Sequence, residues 1–138
     1  ANLGKSILSI GAVKAVEIGD GLLAAKSTGS VNNDAFVYEN GQICKKTNHS
    51  GGVLGGISDG SQLVFRAYIK PTPSIFSSQE TINKNKQNIE ITIKGRHDPV
   101  IVPRAVVVVE AMTALTILDA CMVNMTARLD YLTNFYHQ

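Results

Sequence analysis

Residues Gly95–Pro99 place a cation, an imidazole and a carboxylate in consecutive positions, as Arg96, His97 and Asp98. The flanking glycine and proline are residues at which a chain leaves regular structure, so we expect a loop here. Such loops, held on a rigid apolar scaffold, are where binding and catalytic groups concentrate. The segment is therefore a candidate site.

Residues 48–60 form a second candidate, because five glycines lie within the ten positions that begin at Gly51. Glycine allows backbone N–H groups to approach an anion or a flat ring closely. Gly51 and Gly56 have the outer spacing of a Walker phosphate loop, but Ile57 and Ser58 stand where that motif needs lysine and a hydroxyl residue. A ligand-binding loop and a merely flexible turn both remain open.

The third candidate, Lys70–Ile75, combines a cation, two prolines and two hydroxyl groups. Lys70, Thr72 and Ser74 could hold a phosphate. The prolines also suit a rigid exit from a strand, so that interpretation stays open as well.

Several patterned segments would position these candidates. Residues 12–19, 61–70 and 88–94 alternate as strands do, and the last is expected to pair with residues 80–83. Asn40 and Gly41 predict a tight hairpin between residues 36–38 and 42–44. Asp20 is expected to cap a short helix over residues 21–26.

Residues 103–125 are apolar on nearly every face and approach the ~20 residues that span a bilayer. Glu110 and Asp119 would lie in the hydrocarbon at a cost of about 3 kcal/mol each, so we do not expect a membrane span. Pro103 suits a helix start. We therefore predict a long buried helix, covered by sheet or by partner subunits.

Composition narrows the class of protein. The chain has 138 residues, enough for one domain, and a net charge of +2, too mild for a nucleic-acid-binding protein. Cys44 and Cys121 have no metal-ligand spacing, so we expect reduced thiols, no metal site and a cytoplasmic protein. The first residues include neither an initiator methionine nor a secretion signal, which suggests a piece of a longer chain.

The candidate segments and the start of the chain together resemble the chorismate synthase family. The matching blocks follow the order of that family's carboxy-terminal half: residues 9–21, 48–58, 70–75 and 95–99. The resemblance covers almost the whole chain and weakens over residues 26–47 and after Asp119. Two small departures are Ala15, where the family commonly has glycine, and Val100, where it commonly has cysteine. Residues 1–138 are expected to be the carboxy-terminal, FMN-binding part of a chorismate synthase domain.

The resemblance implies a lyase of the shikimate pathway that converts 5-enolpyruvylshikimate 3-phosphate to chorismate and phosphate. It implies reduced FMN as cofactor, with no net redox change. The source of the reducing electrons stays open between an outside reductant and the enzyme itself, with NADP as the associated nucleotide. The implied fold is α+β, a layered sandwich of antiparallel sheet and α-helices, usually assembled as a homotetramer.

The resemblance also assigns roles to residues. The implied FMN contacts are Gly11, Ala12, Gly55, Lys70, Pro71, Thr72, Pro73, Ser74 and Arg96. Asp98 is the implied catalytic residue, which moves a proton together with the flavin, and its ionised form is expected to be disfavoured near an anionic flavin and substrate. Substrate or supporting roles fall on Asn48, His49 and His97, while His137 is expected to be an exposed tail residue.

The family's catalytic histidines and substrate-gripping arginines belong to amino-terminal blocks that this sequence lacks. We therefore expect the chain alone to be inactive. The alternative is a module that binds FMN or a phosphoanion, or that serves oligomerisation, without turnover.

Overall fold

The computed structural model describes residues 1–96 and 98–137. Within them the helices are α1 (Asn2–Leu8), α2 (Val102–Met125) and α3 (Leu129–Tyr136), and a 3₁₀ helix spans Gly21–Lys26. The strands form antiparallel pairs: β1 (Val13–Ile18) with β6 (Phe65–Ile69), β2 (Phe36–Glu39) with β3 (Gln42–Lys45), β4 (Val53–Leu54) with β5 (Ile57–Ser58), and β7 (Gln79–Ile82) with β8 (Asn88–Ile91). The α+β class is confirmed.

Both predicted hairpins are present. Asn40 and Gly41 join β2 to β3 with φ angles of 53° and 79°, as a tight turn between twisted strands requires. The β7–β8 hairpin turns at Asn83, whose side-chain oxygen accepts hydrogen bonds from the backbone N–H groups of Asn85 and Gln87. Local sequence was therefore sufficient to specify these two elements.

The small buried core lies where α1 meets β1 and α2. Ile7 on α1 is fully buried and Val13 at the start of β1 is 6% exposed. The predicted strand over residues 61–70 begins only at Phe65. The backbone N–H of Val64, the residue before this strand, donates to the carbonyl of Gly51, and the Val64 carbonyl accepts from the N–H of Gly19. Val64 therefore contacts the glycine-rich loop instead of extending the strand.

The short helix after Gly19 is present, but its predicted cap is wrong. The Asp20 carboxylate makes no capping hydrogen bond, because it lies instead beside the ring of His49. Glu17 takes over part of the capping role, since its Oε1 accepts a 3.2 Å hydrogen bond from the backbone N–H of Leu22.

Helix α2 is confirmed, but the described residues do not supply the predicted cover by sheet, and none of its residues is fully buried in this chain. Ser6 of α1 donates to the carbonyl of Met112 at 3.4 Å, and the half-buried positions lie along one stripe of α2: Ala105, Val109, Met112, Thr113 and Thr116. The opposite side is open, with Val107 65% and Leu118 57% exposed. Among the described residues α1 makes the main contact with α2, so most of the apolar surface of α2 stays exposed.

The exposed helix α2 is also long and apolar enough to cross a membrane by length and composition alone. The hydroxyl groups of the helix do not alter its apolar character. Thr113 and Thr116 donate their hydroxyl hydrogen bonds to the backbone carbonyls of Val109 and Met112 within the helix. Helices that pack inside soluble proteins share this composition, so it does not identify the environment of α2.

Candidate functional site

Two of the predicted site segments meet at one end of the β1–β6 pair. The backbone N–H of Lys70 donates a 2.7 Å hydrogen bond to the carbonyl of Ala12. Ala12 adopts a left-handed conformation with φ of 70°, which turns the chain into β1. The structure therefore places Gly11 and Ala12 beside the segment that begins at Lys70.

The hydroxyl oxygen of Thr72 is buried and, among the residues that the structure describes, has no hydrogen-bond partner. Pro71 and Pro73 on either side are exposed, and Ser74 is half-buried. A buried polar atom without a partner costs about 1–3 kcal/mol, and native proteins rarely leave one in place. Thr72 is thus equipped to bind an external group.

The backbone of the glycine-rich loop is already committed to hydrogen bonds within the protein. The N–H groups of Gly51 and Gly52 donate to the carbonyl and side-chain oxygens of Asn48, and that of Val53 donates to the carbonyl of Ser50. The two preceding amides, of His49 and Ser50, donate to the carboxylate of Asp34. These five amides therefore do not form a free phosphate cradle.

The glycines of this region divide into two kinds. A Cβ on Gly19 would lie 2.0 Å from the carbonyl oxygen of His49, and one on Gly51 would lie 2.4 Å from the backbone nitrogen of Gly19. Gly55 and Gly56, in the β4–β5 turn, have φ of 59° and 84°, and a Cβ there would meet nothing within 4 Å. Gly19 and Gly51 are required by close packing, whereas the Gly55–Gly56 turn is open to a ligand.

Asp34 holds this loop, and sequence reasoning missed it. Its side chain is 6% exposed and accepts hydrogen bonds of 2.7 Å from Thr47 Oγ1 and from the His49 N–H, and of 2.8 Å from the Ser50 N–H. Burial alone would raise the pKa of this carboxyl, but the hydrogen bonds from Ser50, His49 and Thr47 bring it well below its ordinary value. The Asp34 carboxylate is thus the anion that these loop amides bind.

Asn48 and His49, predicted near the substrate, also brace the loop. Asn48 Nδ2 donates to the carbonyl of Gln62 at 2.8 Å. His49 Nδ1 lies 2.6 Å from Asp20 Oδ2, and Asn32 Nδ2 donates to the same oxygen at 3.4 Å. These contacts fix both side chains against neighbouring loops.

A second pair that sequence reasoning missed joins Lys45 to Asp59. The two side chains form an ion pair and are 5% and 10% exposed. Hydrogen bonds from Lys45 and from the backbone of Ser61 lower the pKa of the Asp59 carboxyl. Asp59 lies within the candidate segment 48–60, but Lys45 lies outside every candidate segment, and the contact between them depends on two hairpins meeting in space.

Asp98 pairs with a residue of helix α2. Asp98 Oδ2 accepts a 2.7 Å hydrogen bond from Arg104 Nη1, with side-chain exposures of 39% and 76%. Over residues 1–96 and 98–137, no hydrogen bond or ion pair joins Arg96 or Asp98 to the segment after Lys70. His97, predicted as a supporting residue, lies outside the described residues. The described neighbour of Asp98 is the guanidinium of Arg104.

No group of three or more His, Cys, Asp or Glu side chains is placed to hold a metal ion in the described part of the chain. Cys44 and Cys121 are both free and exposed.

Curated relatives are similar to this chain over most of its length. A chorismate synthase of Agathobacter rectalis is 66% identical over 136 residues, which cover 99% of this chain and 37% of the relative. Another, of Lachnospira eligens, is 66% identical over 138 residues, or 100% of this chain and 38% of the relative. A third, of Archaeoglobus fulgidus, is 55% identical over 88% of this chain and 34% of the relative. The chain thus spans little more than a third of the length of these relatives.

The fold comparison agrees with the sequence comparisons. A solved crystal structure of chorismate synthase matches with a TM-score of 0.69 and 31% sequence identity, over 90% of this chain and 30% of the solved one. The family model described as chorismate synthase matches residues 1–122. The chain therefore belongs to the chorismate synthase family.

Proposed function

We propose that residues 1–138 are the carboxy-terminal, FMN-binding part of a chorismate synthase domain. The intact enzyme would convert 5-enolpyruvylshikimate 3-phosphate to chorismate and phosphate, using reduced FMN without net redox change. Family membership over residues 1–122 is the observation that carries this proposal. The resemblance of four ordered sequence blocks supports it.

The residues at the end of the β1–β6 pair fit an FMN contact. The Thr72 hydroxyl is buried and lacks a partner among described residues, so a ligand oxygen or nitrogen could satisfy it. Lys70, two residues earlier in the chain, supplies a positive charge, and its backbone is joined to that of Ala12. Gly11 and Ala12, the segment from Lys70 to Ser74 and the open turn at Gly55 would hold the flavin. When bound, reduced flavin supplies electron density to the substrate as phosphate leaves.

Arg96 and Asp98 are the chain's own candidates for the reacting end of the site. The Arg96 side chain is exposed, and its planar guanidinium could grip a phosphate or carboxylate in two parallel hydrogen bonds. Asp98 would receive a proton on its carboxylate, one oxygen of which is held by Arg104. His97 would orient these neighbours. The proposal requires this segment to approach Lys70–Ser74 in the loaded enzyme.

The rest of the enzyme would complete the site and cover α2. On the family pattern, the catalytic histidines and the substrate-binding arginines come from amino-terminal blocks, so this chain alone would not turn over substrate. The exposed apolar side of α2 suits contact with the remaining chain or with another copy, as in a homotetramer. We place the enzyme in the cytoplasm, and Glu110 and Asp119 argue against a membrane-embedded α2.

The proposal is tested on the full-length protein. With FMN, an anaerobic reductant and 5-enolpyruvylshikimate 3-phosphate, we expect chorismate and phosphate in equal amounts and no net oxidation of the flavin. A folded, flavin-loaded protein that forms no chorismate would contradict the proposed reaction.

The alternative, a binding or oligomerisation module without turnover, is tested on the 1–138 chain. Flavin fluorescence titration measures its affinity for FMN, and sedimentation measures its assembly. Chorismate formation by this chain alone would contradict its expected inactivity.

A further inference from the structure

The ion pair between Lys45 and Asp59 stands at the base of the β4–β5 hairpin. Lys45 is the last residue of β3, and Asp59 directly follows β5. Lys45 Nζ also donates a 3.2 Å hydrogen bond to Ser50 Oγ, on the chain that leads into β4. One cation therefore holds the chain on both sides of the hairpin.

Both charges are largely removed from water, with side-chain exposures of 5% for Lys45 and 10% for Asp59. A pair this buried is favourable only when its geometry is good and its remaining hydrogen-bond capacity is met. The other oxygen of Asp59 is also satisfied, because Oδ1 accepts a 2.9 Å hydrogen bond from the Ser61 N–H.

The hairpin itself is too short to fix its own direction. Its strands have two residues each, paired as Val53 with Ser58 and Leu54 with Ile57, and isolated two-stranded hairpins are at best marginally stable. The Asp59 N–H donates to the Gly52 carbonyl at 3.2 Å, which closes the base of the hairpin. The direction of the Gly55–Gly56 turn is therefore set at the base, where Lys45 and Asp59 meet.

We propose that Lys45 and Asp59 are positioning residues that direct the Gly55–Gly56 turn toward the flavin. This inference rests on the proposed function and deepens it. Lys45 lies outside the sequence blocks that carry the family resemblance. It acts through the hairpin, since the Gly55–Gly56 turn would make the ligand contact.

The test compares variants of the full-length protein by FMN titration and by melting temperature without flavin. Lys45→Met leaves Asp59 buried without its partner, so we expect a lower melting temperature and a Kd for FMN raised roughly tenfold. Lys45→Arg keeps the charge and should restore most of the affinity. Lys46→Met is the matched control, because the neighbouring Lys46 side chain is exposed, and its Kd should equal that of the wild type.

The double variant Lys45→Met/Asp59→Asn separates positioning from stability. It leaves no unpaired buried charge, so the melting temperature should recover toward that of the wild type. The Kd for FMN should remain roughly tenfold raised, because the hairpin base has lost its ion pair. Recovery of both quantities, or an unchanged Kd in Lys45→Met, overturns the positioning role.

The wild-type titration distinguishes failure of the proposed function from failure of the positioning role of Lys45 and Asp59. A folded wild-type protein that does not bind FMN overturns the proposed function and this inference together. Wild-type binding with unaffected variants overturns this inference alone and leaves the proposed function standing.

Discussion

The backbone N–H of Lys70 donates a 2.7 Å hydrogen bond to the carbonyl of Ala12, where β6 ends and β1 begins. This contact extends the β1–β6 register, in which Val13 pairs with Ile69. Ala12 takes a left-handed φ of 70° there, a conformation that costs about 1 kcal/mol for a residue with a Cβ. The pairing of β1 and β6 therefore brings two segments distant in sequence into one surface.

Thr72→Val should raise the stability of the flavin-free protein and weaken FMN binding. The variant removes a buried hydroxyl that has no partner within the described residues, so the free energy of unfolding should rise by about 1 kcal/mol. Loss of the proposed hydrogen bond to the flavin should raise the Kd roughly tenfold. Thr72→Ser keeps the hydroxyl and serves as the control. Calorimetry and flavin titration measure the two effects, and an unchanged Kd would exclude Thr72 as a contact.

Asp98→Ala in the full-length enzyme should lower kcat by about 100-fold or more, with little change in FMN affinity, because a proton-transfer group acts in the transition state. Asp130→Ala is the matched control, since Asp130 also forms an exposed ion pair, with Arg128. Chorismate formation under saturating FMN measures the effect. Equal activity of the Asp98 and Asp130 variants would remove Asp98 from the mechanism.

Asp34→Asn should destabilise the protein by about 2 kcal/mol at neutral pH, because the amide group presents N–H donors to backbone N–H groups. The folded pKa of Asp34 lies well below its ordinary value of 3.8. Its carboxylate therefore contributes stability above that pH and loses the contribution as the pH falls below it. Unfolding by urea at several pH values should show the gap between wild type and variant closing in acid.

The control for Asp34 is Glu39→Gln, because Glu39 is exposed on the neighbouring strand β2. Its unfolding curves should follow those of the wild type at each pH. A gap between wild type and Asp34→Asn that does not change with pH would contradict the role assigned to the Asp34 charge.

Gly51→Ala should destabilise the protein by about 3 kcal/mol or more. The added Cβ would lie 2.4 Å from the backbone nitrogen of Gly19, at a φ of 62° that disfavours side chains. Gly29→Ala, where a Cβ would meet nothing within 4 Å, is the control and should leave stability nearly unchanged. Denaturant midpoints compare the two variants, and equal midpoints would refute the close-packing argument.

Charges on the open side of α2 should weaken assembly of the full-length protein. Val107→Lys and Leu118→Lys together place two cations on this side of α2. The native side chains are 65% and 57% exposed in this chain, and a partner copy would bury the new charges. Sedimentation velocity should show smaller species than for the wild type. Leu22→Lys, at a site 71% exposed outside α2, is the control. An unchanged assembly with a lower melting temperature would mean that the enzyme's own chain covers α2.

Much of the local structure could be predicted from the sequence. The Asn40–Gly41 turn, the β7–β8 hairpin and helix α2 depend on turn chemistry and short-range periodicity, which neighbouring residues determine. The short elements α1, α3 and β4–β5 were missed, because segments of two to eight residues carry little periodic signal. The ordered sequence blocks, together with the family match, also established the family.

Only the tertiary structure decided which side chains hold those elements together. Asp34 meets the amides of His49 and Ser50, and Lys45 meets Asp59, through contacts between separate loops and hairpins. The glycines divide on the same basis, since close approach of His49 demands glycine at Gly19, whereas at Gly55 the φ of 59° favours glycine without any close contact. Long-range contacts leave no spacing pattern in a single sequence. Burial of α2 likewise depends on surfaces that these residues do not provide.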